Sequence, residues 1–154
     1  MAKMALRGSS ENQLDEKNRI RVPSKFTEVF RKEYKDEQLY FVIYVEGRIS
    51  LMAESVLNAR LKPFEDIPPD DIEAMDSFSK ISETIECAGI DGQGRVTIPK
   101  NLRAAVKIDK DVILVGLGNY LEIWAKEVRQ ESVGGLSIRE AISKASESAR
   151  ANRK

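Results

Sequence analysis

Apolar and polar positions alternate with period two at Ile20-Arg21-Val22 and again at Val96-Thr97-Ile98. Each alternation predicts a short strand with one buried face. A proline, Pro23 or Pro99, closes each strand and can open a helix. Behind the prolines, Phe26, Val29 and Phe30 in one place, and Leu102, Ala105 and Val106 in the other, fall at i, i+3, i+4, the spacing of one helical stripe. Continuous apolar runs follow, Leu39 to Val45 and Val112 to Leu117, each predicting a buried strand. Turns at Glu46-Gly47 and Gly118-Asn119 then lead into last alternating strands, Ile49 to Met52 and Leu121 to Trp124. The order strand, helix, strand, strand is thus predicted twice.

The two stretches align residue by residue. Leu14-Asp15-Glu16-Lys17-Asn18-Arg19-Ile20-Arg21-Val22-Pro23 faces Ile90-Asp91-Gly92-Gln93-Gly94-Arg95-Val96-Thr97-Ile98-Pro99. Four residues are dropped from the second copy beyond Val106, after which Leu39 to Met52 matches Asp111 to Trp124. One Asp-x-x-x-Arg coincidence would mean little, but collinear agreement through the whole unit marks an internal repeat. Asp15 with Asn18, and Asp91 with Gly94, are tight-turn chemistry, because Asp caps its own turn and Asn or Gly tolerates positive φ. A unit of this size buries too little surface alone, so the two copies are expected to share one α+β core.

Between the copies, Glu54 to Leu61 reads as a short helix closed by Pro63. Pro68-Pro69-Asp70 opens another running to about Glu86, with Ala74, Phe78, Ile81 and Ile85 on its apolar stripe. After the second copy, Ser137-Ile138-Arg139-Glu140 is a capping box. It starts a terminal helix with Ile138, Ala141, Ile142, Ala145 and Ala149 on one line and a frayed end, SARANRK. The expected division is repeat 1 over 8–55, an acidic helical linker over 56–83, repeat 2 over 84–127, and a C-terminal helix and tail over 136–154.

Composition narrows the chemistry. The 154 residues are about one domain's worth, and 42% hydrophobic with 32% charged is close to the globular average. The apolar runs fall far short of the roughly 20 residues a spanning helix needs, so no membrane association is expected. No apolar stretch follows the N-terminal lysine as a secretory signal would require, which points to the cytoplasm. Cys87, the single cysteine, fits a reducing compartment and is expected to pack at the buried end of the second linker helix. With no histidine in the chain, Ser-His-Asp and Cys-His catalysis and His-containing zinc sites are excluded. No Walker A loop or dinucleotide fingerprint occurs. Asp15 and Asp91 could be read as paired acid and base carboxylates, but turn capping explains them. Neither an enzyme activity, a cofactor, a metal nor a small-molecule substrate is expected.

Twenty-five basic and twenty-five acidic residues cancel, yet they are not evenly spread. Residues 1–35 hold nine Lys and Arg against five Asp and Glu, residues 54–91 three against ten, and residues 92–154 twelve against seven. Folding can gather the two basic ends into a local patch, because screening limits the acidic segment's reach to about 8–10 Å. An ordinary mixed surface is the alternative.

Arg7-Gly8, the Leu14 to Pro23 motif, the Cys87 to Pro99 motif and the Glu122-Ile123-Trp124 ending resemble the MraZ family of bacterial transcriptional regulators, built from two SpoVT/AbrB-type repeats in one chain. The resemblance covers roughly residues 6–128. It implies a swapped-hairpin fold in which the two halves pair as an intramolecular pseudo-dimer with a barrel-like core. It further implies ring-like homo-oligomers, binding to direct repeats in double-stranded promoter DNA of the division and cell-wall gene cluster, a repressing role and association with the nucleoid. The family commonly has Gly before the motif arginine, where the first copy here has Asn18.

Arginine beside a tight turn can bind a phosphate, or the O6/N7 edge of guanine, with both arms of its fork. Arg19 and Arg95 are therefore the principal DNA-contact candidates, with Arg21 on the same strand face as Arg19. Arg7, Lys17, Lys25, Lys100 and Arg103 are further candidates, and Asp15, Asn18, Asp91 and Gly94 shape the turns. For Arg19 and Arg95 the alternative is an ion pair with Asp15 and Asp91, and for the other cations a solvated surface charge. Trp124, Tyr120 and the aromatic residues of 39–44 read as core or subunit interface. The competing function is an AbrB-like protein-interaction module of antitoxin type.

Overall fold

A computed structural model describes residues 4–153; Lys3 and Lys154, on which the leader and tail readings partly rest, lie outside them. In chain order the elements are β1 (Ser9–Gln13), β2 (Arg19–Arg21), α1 (Ser24–Glu33), β3 (Leu39–Val42), β4 (Ile49–Ala53), α2 (Glu54–Leu61), a 3₁₀ turn (Lys62–Asp66), α3 (Ile72–Ser82), β5 (Glu86–Ala88), β6 (Arg95–Thr97), α4 (Lys100–Ala105), β7 (Asp111–Gly116), β8 (Leu121–Ala125), α5 (Lys126–Ser132) and α6 (Ile138–Ala151). The strand-helix-strand-strand order therefore occurs twice, as β2-α1-β3-β4 and β6-α4-β7-β8. The four residues missing from the second copy match one turn of helix: α1 has ten residues and α4 six. Pro23 and Pro99 stand at the N-caps of these helices, and the Pro23 carbonyl accepts from the Phe26 and Thr27 amides.

Six strands form one antiparallel sheet in the order β1-β7-β8-β4-β3-β5, and β2 pairs with β6 in a separate two-stranded ribbon. The copies exchange their leading strands: β1 lies on β7 of the second copy and β5 on β3 of the first. Register makes the copies equivalent. In the ribbon Ile20 faces Val96, its own counterpart, with Arg19 opposite Thr97 and Arg21 opposite Arg95. In the sheet Ser50 faces its counterpart Glu122, with Ile49 opposite Ile123 and Leu51 opposite Leu121. Both ladders centre on matched residues, the arrangement an isologous two-fold contact would have. One core results, in which Ile20, Val96, Ile49, Leu51, Leu121 and Ile123 are fully buried together with Phe26, Phe41 and Leu102.

Several expectations are corrected. The sheet is open, not a closed barrel, since β1 pairs only with β7 and β5 only with β3. The three-residue strands of the ribbon pair only with each other and add no strand to either edge. The last strand of each copy is buried on both faces instead of alternating, so Glu122 is a buried carboxylate. It accepts from Arg48 Nε at 3.1 Å and from Trp124 Nε1 at 2.9 Å, and the Arg48 guanidinium lies over the Trp124 ring at 4.4 Å. The second linker helix starts at Ile72, capped by Asp71, and stops at Ser82. Glu86 and Cys87 then belong to the edge strand β5, where Cys87 is exposed, not packed. α6 is regular to Ala151, beyond the start of the frayed end that was expected. Its apolar line does not reach the core: Ile138 is 76% and Ile142 63% exposed. Among the described residues no helix is long and apolar enough to cross a membrane.

Candidate nucleic-acid interface

The two Asp-x-x-x-Arg turns are built alike. In the first, the Asp15 amide donates to the Arg19 carbonyl and the Asn18 amide to the Asp15 carbonyl. Asp15 Oδ1 accepts from the amides of Lys17 at 2.8 Å and Arg19 at 3.0 Å, and Oδ2 from Arg19 Nε at 2.8 Å. In the second, Asp91 Oδ1 accepts from the amides of Gln93 and Arg95, both at 2.9 Å, and Oδ2 from Arg95 Nε at 2.9 Å. Asn18 at φ 62° and Gly94 at φ 79° take the left-handed corner, which asparagine and glycine tolerate best. Each carboxylate thus holds its arginine by backbone and side chain at once. The ion pair that was the alternative reading forms in both copies; it engages Nε, and each guanidinium has further donors.

The Arg19 amide lowers the Asp15 pKa most, against partial desolvation, with the Arg19 side chain and Lys17 amide adding to it. The Arg95 amide does the same at Asp91, again against desolvation, followed by the Gln93 amide and the Arg95 side chain. A carboxylate whose folded pKa is depressed stabilises the fold above its ordinary pKa, and the contribution is lost as pH falls through the lowered value. Melting temperature is therefore expected to fall through that acidic window. The decline should be shallower in the double variant Asp15→Asn/Asp91→Asn, which should melt lower than the parent at neutral pH. Superimposable pH profiles for parent and variant would show that the turns contribute nothing.

The copies lock each other at these turns. The Val22 amide donates to the Gly94 carbonyl at 2.7 Å and the Ile98 amide to the Asn18 carbonyl at 3.1 Å. The ribbon's inner face is Ile20 and Val96; its outer face carries Arg19, Arg21, Arg95 and Thr97. From strand geometry Arg19 and Arg95 sit about 8 Å apart along the diagonal. Arg21 lies directly opposite Arg95, whose Nε is paired with Asp91, so that carboxylate offsets part of the like-charged cross-strand contact. Arg21 Nη1 is held by the Gln93 carbonyl at 2.9 Å, and the Arg21 carbonyl accepts from Asn12 Nδ2 at 3.0 Å.

The other candidates divide. Exposed Lys17 belongs to the first turn, and the start of α4, with exposed Lys100, follows Ile98 and so lies beside that turn. Lys25 Nζ donates to the Ser9 carbonyl at 2.8 Å. Arg7 is exposed but lies at the far end of β1, next to the bridge between Leu6 and Gly118, roughly 20 Å along the strand from Gln13. It lies next to the Gly8–Ser9 segment on which Lys25 Nζ rests. Arg103 is half-buried: its Nε donates to the Ile98 carbonyl at 3.0 Å and its Nη1 to Asn18 Oδ1 at 3.1 Å. It braces the residue that departs from glycine in the first turn. The motif alignment could not show this, because the counterparts of Arg103 and Asn18 are Thr27 and Gly94.

Comparison with known proteins bears on this arrangement. Residues 81–130, which contain the second turn, match the family described as "MraZ protein, putative antitoxin-like". A protein of Thermoanaerobacter sp. (strain X514) named "Transcriptional regulator MraZ" is 36% identical over 129 residues, which cover 82% of this chain and 85% of the relative. This chain belongs to the MraZ family. Proteins of the same name from Syntrophobacter fumaroxidans (strain DSM 10017 / MPOB), 36% identical over 82% of this chain and 83% of their own, and from Mycoplasmopsis pulmonis (strain UAB CTIP), 32% identical over 80% of each, agree.

Proposed function

We propose that this protein is a transcriptional regulator that binds double-stranded promoter DNA through the outer face of the β2–β6 ribbon and its two turns, without catalysis. Its membership of the MraZ family supports regulation of transcription, and the paired Asp-anchored arginine turns carry the choice of site. A two-stranded ribbon fits the major groove of B-DNA, which is about 12 Å wide. Arg19, Arg21 and Arg95 meet phosphate or guanine edges there, and Lys17, Lys100 and Lys25 contribute nearby charge. Arg103 positions the first turn, and Arg7, beside the Gly8–Ser9 segment that Lys25 reaches, adds charge at the far end of β1.

The finer reading follows the family. Residues 8–55 and 84–127 act as two swapped-hairpin units in one pseudo-dimer, joined by the 56–83 linker. Copies of the chain assemble into a ring-like oligomer, which raises affinity for direct repeats by effective concentration. The target is the promoter of the division and cell-wall gene cluster, the effect is repression, and the protein sits in the cytoplasm on the nucleoid. An antitoxin-type interaction module is the second reading, favoured by the antitoxin-like character ascribed to the matched family.

Salt separates the two. If the cations neutralise phosphates, log K falls linearly with log salt with a slope of about 0.9 per phosphate engaged. A titration of a direct-repeat duplex across a salt series is expected to show several contacts per pair of protomers. An affinity indifferent to salt, or none for any duplex, would refute the DNA reading.

A further inference from the structure

Two helices carry apolar residues that face outward. On α6, Ile138 and Ile142 are 76% and 63% exposed, and Leu136 just before it is also exposed. On α3, Ile72 is 67% and Met75 40% exposed, while Phe78 turns inward to stack on Phe64 at 4.8 Å between ring centres. A 14-residue helix rich in Ser and standing alone is marginal in water, so α6 has reason to take a partner.

The charges around the two stripes are opposite. At 100° per residue the α6 line through Ile138, Ile142 and Ala145 is flanked by Arg139 and Arg150 on one side and Lys144 on the other, with Glu140 and Glu147 at the back. Two such faces would meet with like charges. The outward face of α3 is set among Asp71, Glu73, Asp76 and Glu83, with Lys80 the one cation. The helices also leave opposite halves of the sheet. α5, which leads into α6, packs on β7 and β8, whereas α3 leads through Thr84, whose Oγ1 accepts from the Ile43 amide, into the far edge strand β5.

We propose that α6 of one copy docks its cation-rimmed apolar face on the acid-rimmed Ile72/Met75 face of α3 in a second copy. This contact joins unlike surfaces, so it propagates head to tail and closes into a ring if the rotation allows. It rests on the self-assembly put forward above and names the surfaces that make it.

Sedimentation velocity without DNA tests it on the full chain and on two surface variants, Ile142→Asp and Ile72→Asp, each checked for parental circular dichroism. The parent is expected to assemble with rising concentration and to come apart as salt rises. Each variant alone is expected to stay monomeric, because each lacks one half of every contact. Their equimolar mixture is expected to give a species of two chains, since one chain keeps α6 and the other keeps α3. A parent that is monomeric throughout overturns the proposal, as does an Ile72→Asp chain that still assembles, which would mean α6 pairs with itself. A mixture that stays monomeric overturns it too. DNA binding is scored separately, so a parent that binds the duplex but never assembles refutes the docking alone, and one that assembles through these helices but binds no duplex refutes the DNA reading alone.

Discussion

Replacing Arg19 with alanine is expected to strip most of the affinity for a direct-repeat duplex while the protein folds and assembles like the parent. A bidentate contact from a fixed guanidinium to a base contributes roughly 1–3 kcal/mol, about 5- to 150-fold in affinity, and the loss repeats at every subunit engaged. Stability has little reason to change. Arg19 is half-buried, and without its side chain the turn keeps the bonds that the amides of residues 17 and 19 donate to Asp15 Oδ1. Thermal melts and sedimentation of the variant should match the parent's within a degree or two, against a DNA titration shifted by at least tenfold. An Arg19→Ala protein that melts early yet binds the duplex as tightly per folded molecule would make the arginine a structural member of the turn.

The largest expected loss of stability lies on the β4–β8 ladder. Arg48→Ala removes the cation that pairs with Glu122 and leaves a carboxylate of 5% side-chain exposure with the Trp124 N–H as its remaining partner. Breaking a buried pair from one side costs about 3–5 kcal/mol in general. Arg48 is itself partly exposed, so about 2–3 kcal/mol is the better figure, a fall of roughly 5–10 °C in melting temperature for a chain of this size. Adding Glu122→Gln should return part of the loss, because the unpaired charge is gone while an oxygen remains for Trp124. An Arg48→Ala melt within one degree of the parent, or a double variant no better than the single, would show that solvent already carries Glu122.

The residues that spoke most clearly in the sequence were those whose chemistry is local. Asp15 with Asn18 and Asp91 with Gly94 announce a turn because the bonds they make lie within four residues, and Pro23 and Pro99 end strands for reasons internal to proline. The helical stripe of Phe26 and Phe30 was equally legible from spacing. What the pattern could not show was pairing between distant segments. Nothing in Ser9–Gln13 or Glu86–Ala88 announces a strand by alternation, and each forms one because the opposite copy offers an open edge. Cys87 looked like the end of a buried helix until the chain left α3 at Ser82 and brought it to the sheet's rim. Glu122 read as the polar member of an alternating strand, and only the three-dimensional arrangement puts Arg48 and Trp124 around it. The bond from Arg103 to Asn18 joins residues 85 apart and is unique to one copy, so comparing the copies hides it.

The claim that DNA meets the β2–β6 ribbon is tested most directly by titrating one duplex, selected for binding from random sequence, with the parent and with Arg19→Ala/Arg95→Ala across a salt series. The double variant is expected to fold and assemble normally, to bind at least a hundredfold more weakly, and, where the arginines hold phosphates, to lose about 0.9 from the log-log salt slope for each contact removed. Equal affinity and equal slope for the two folded proteins would place the DNA on another face.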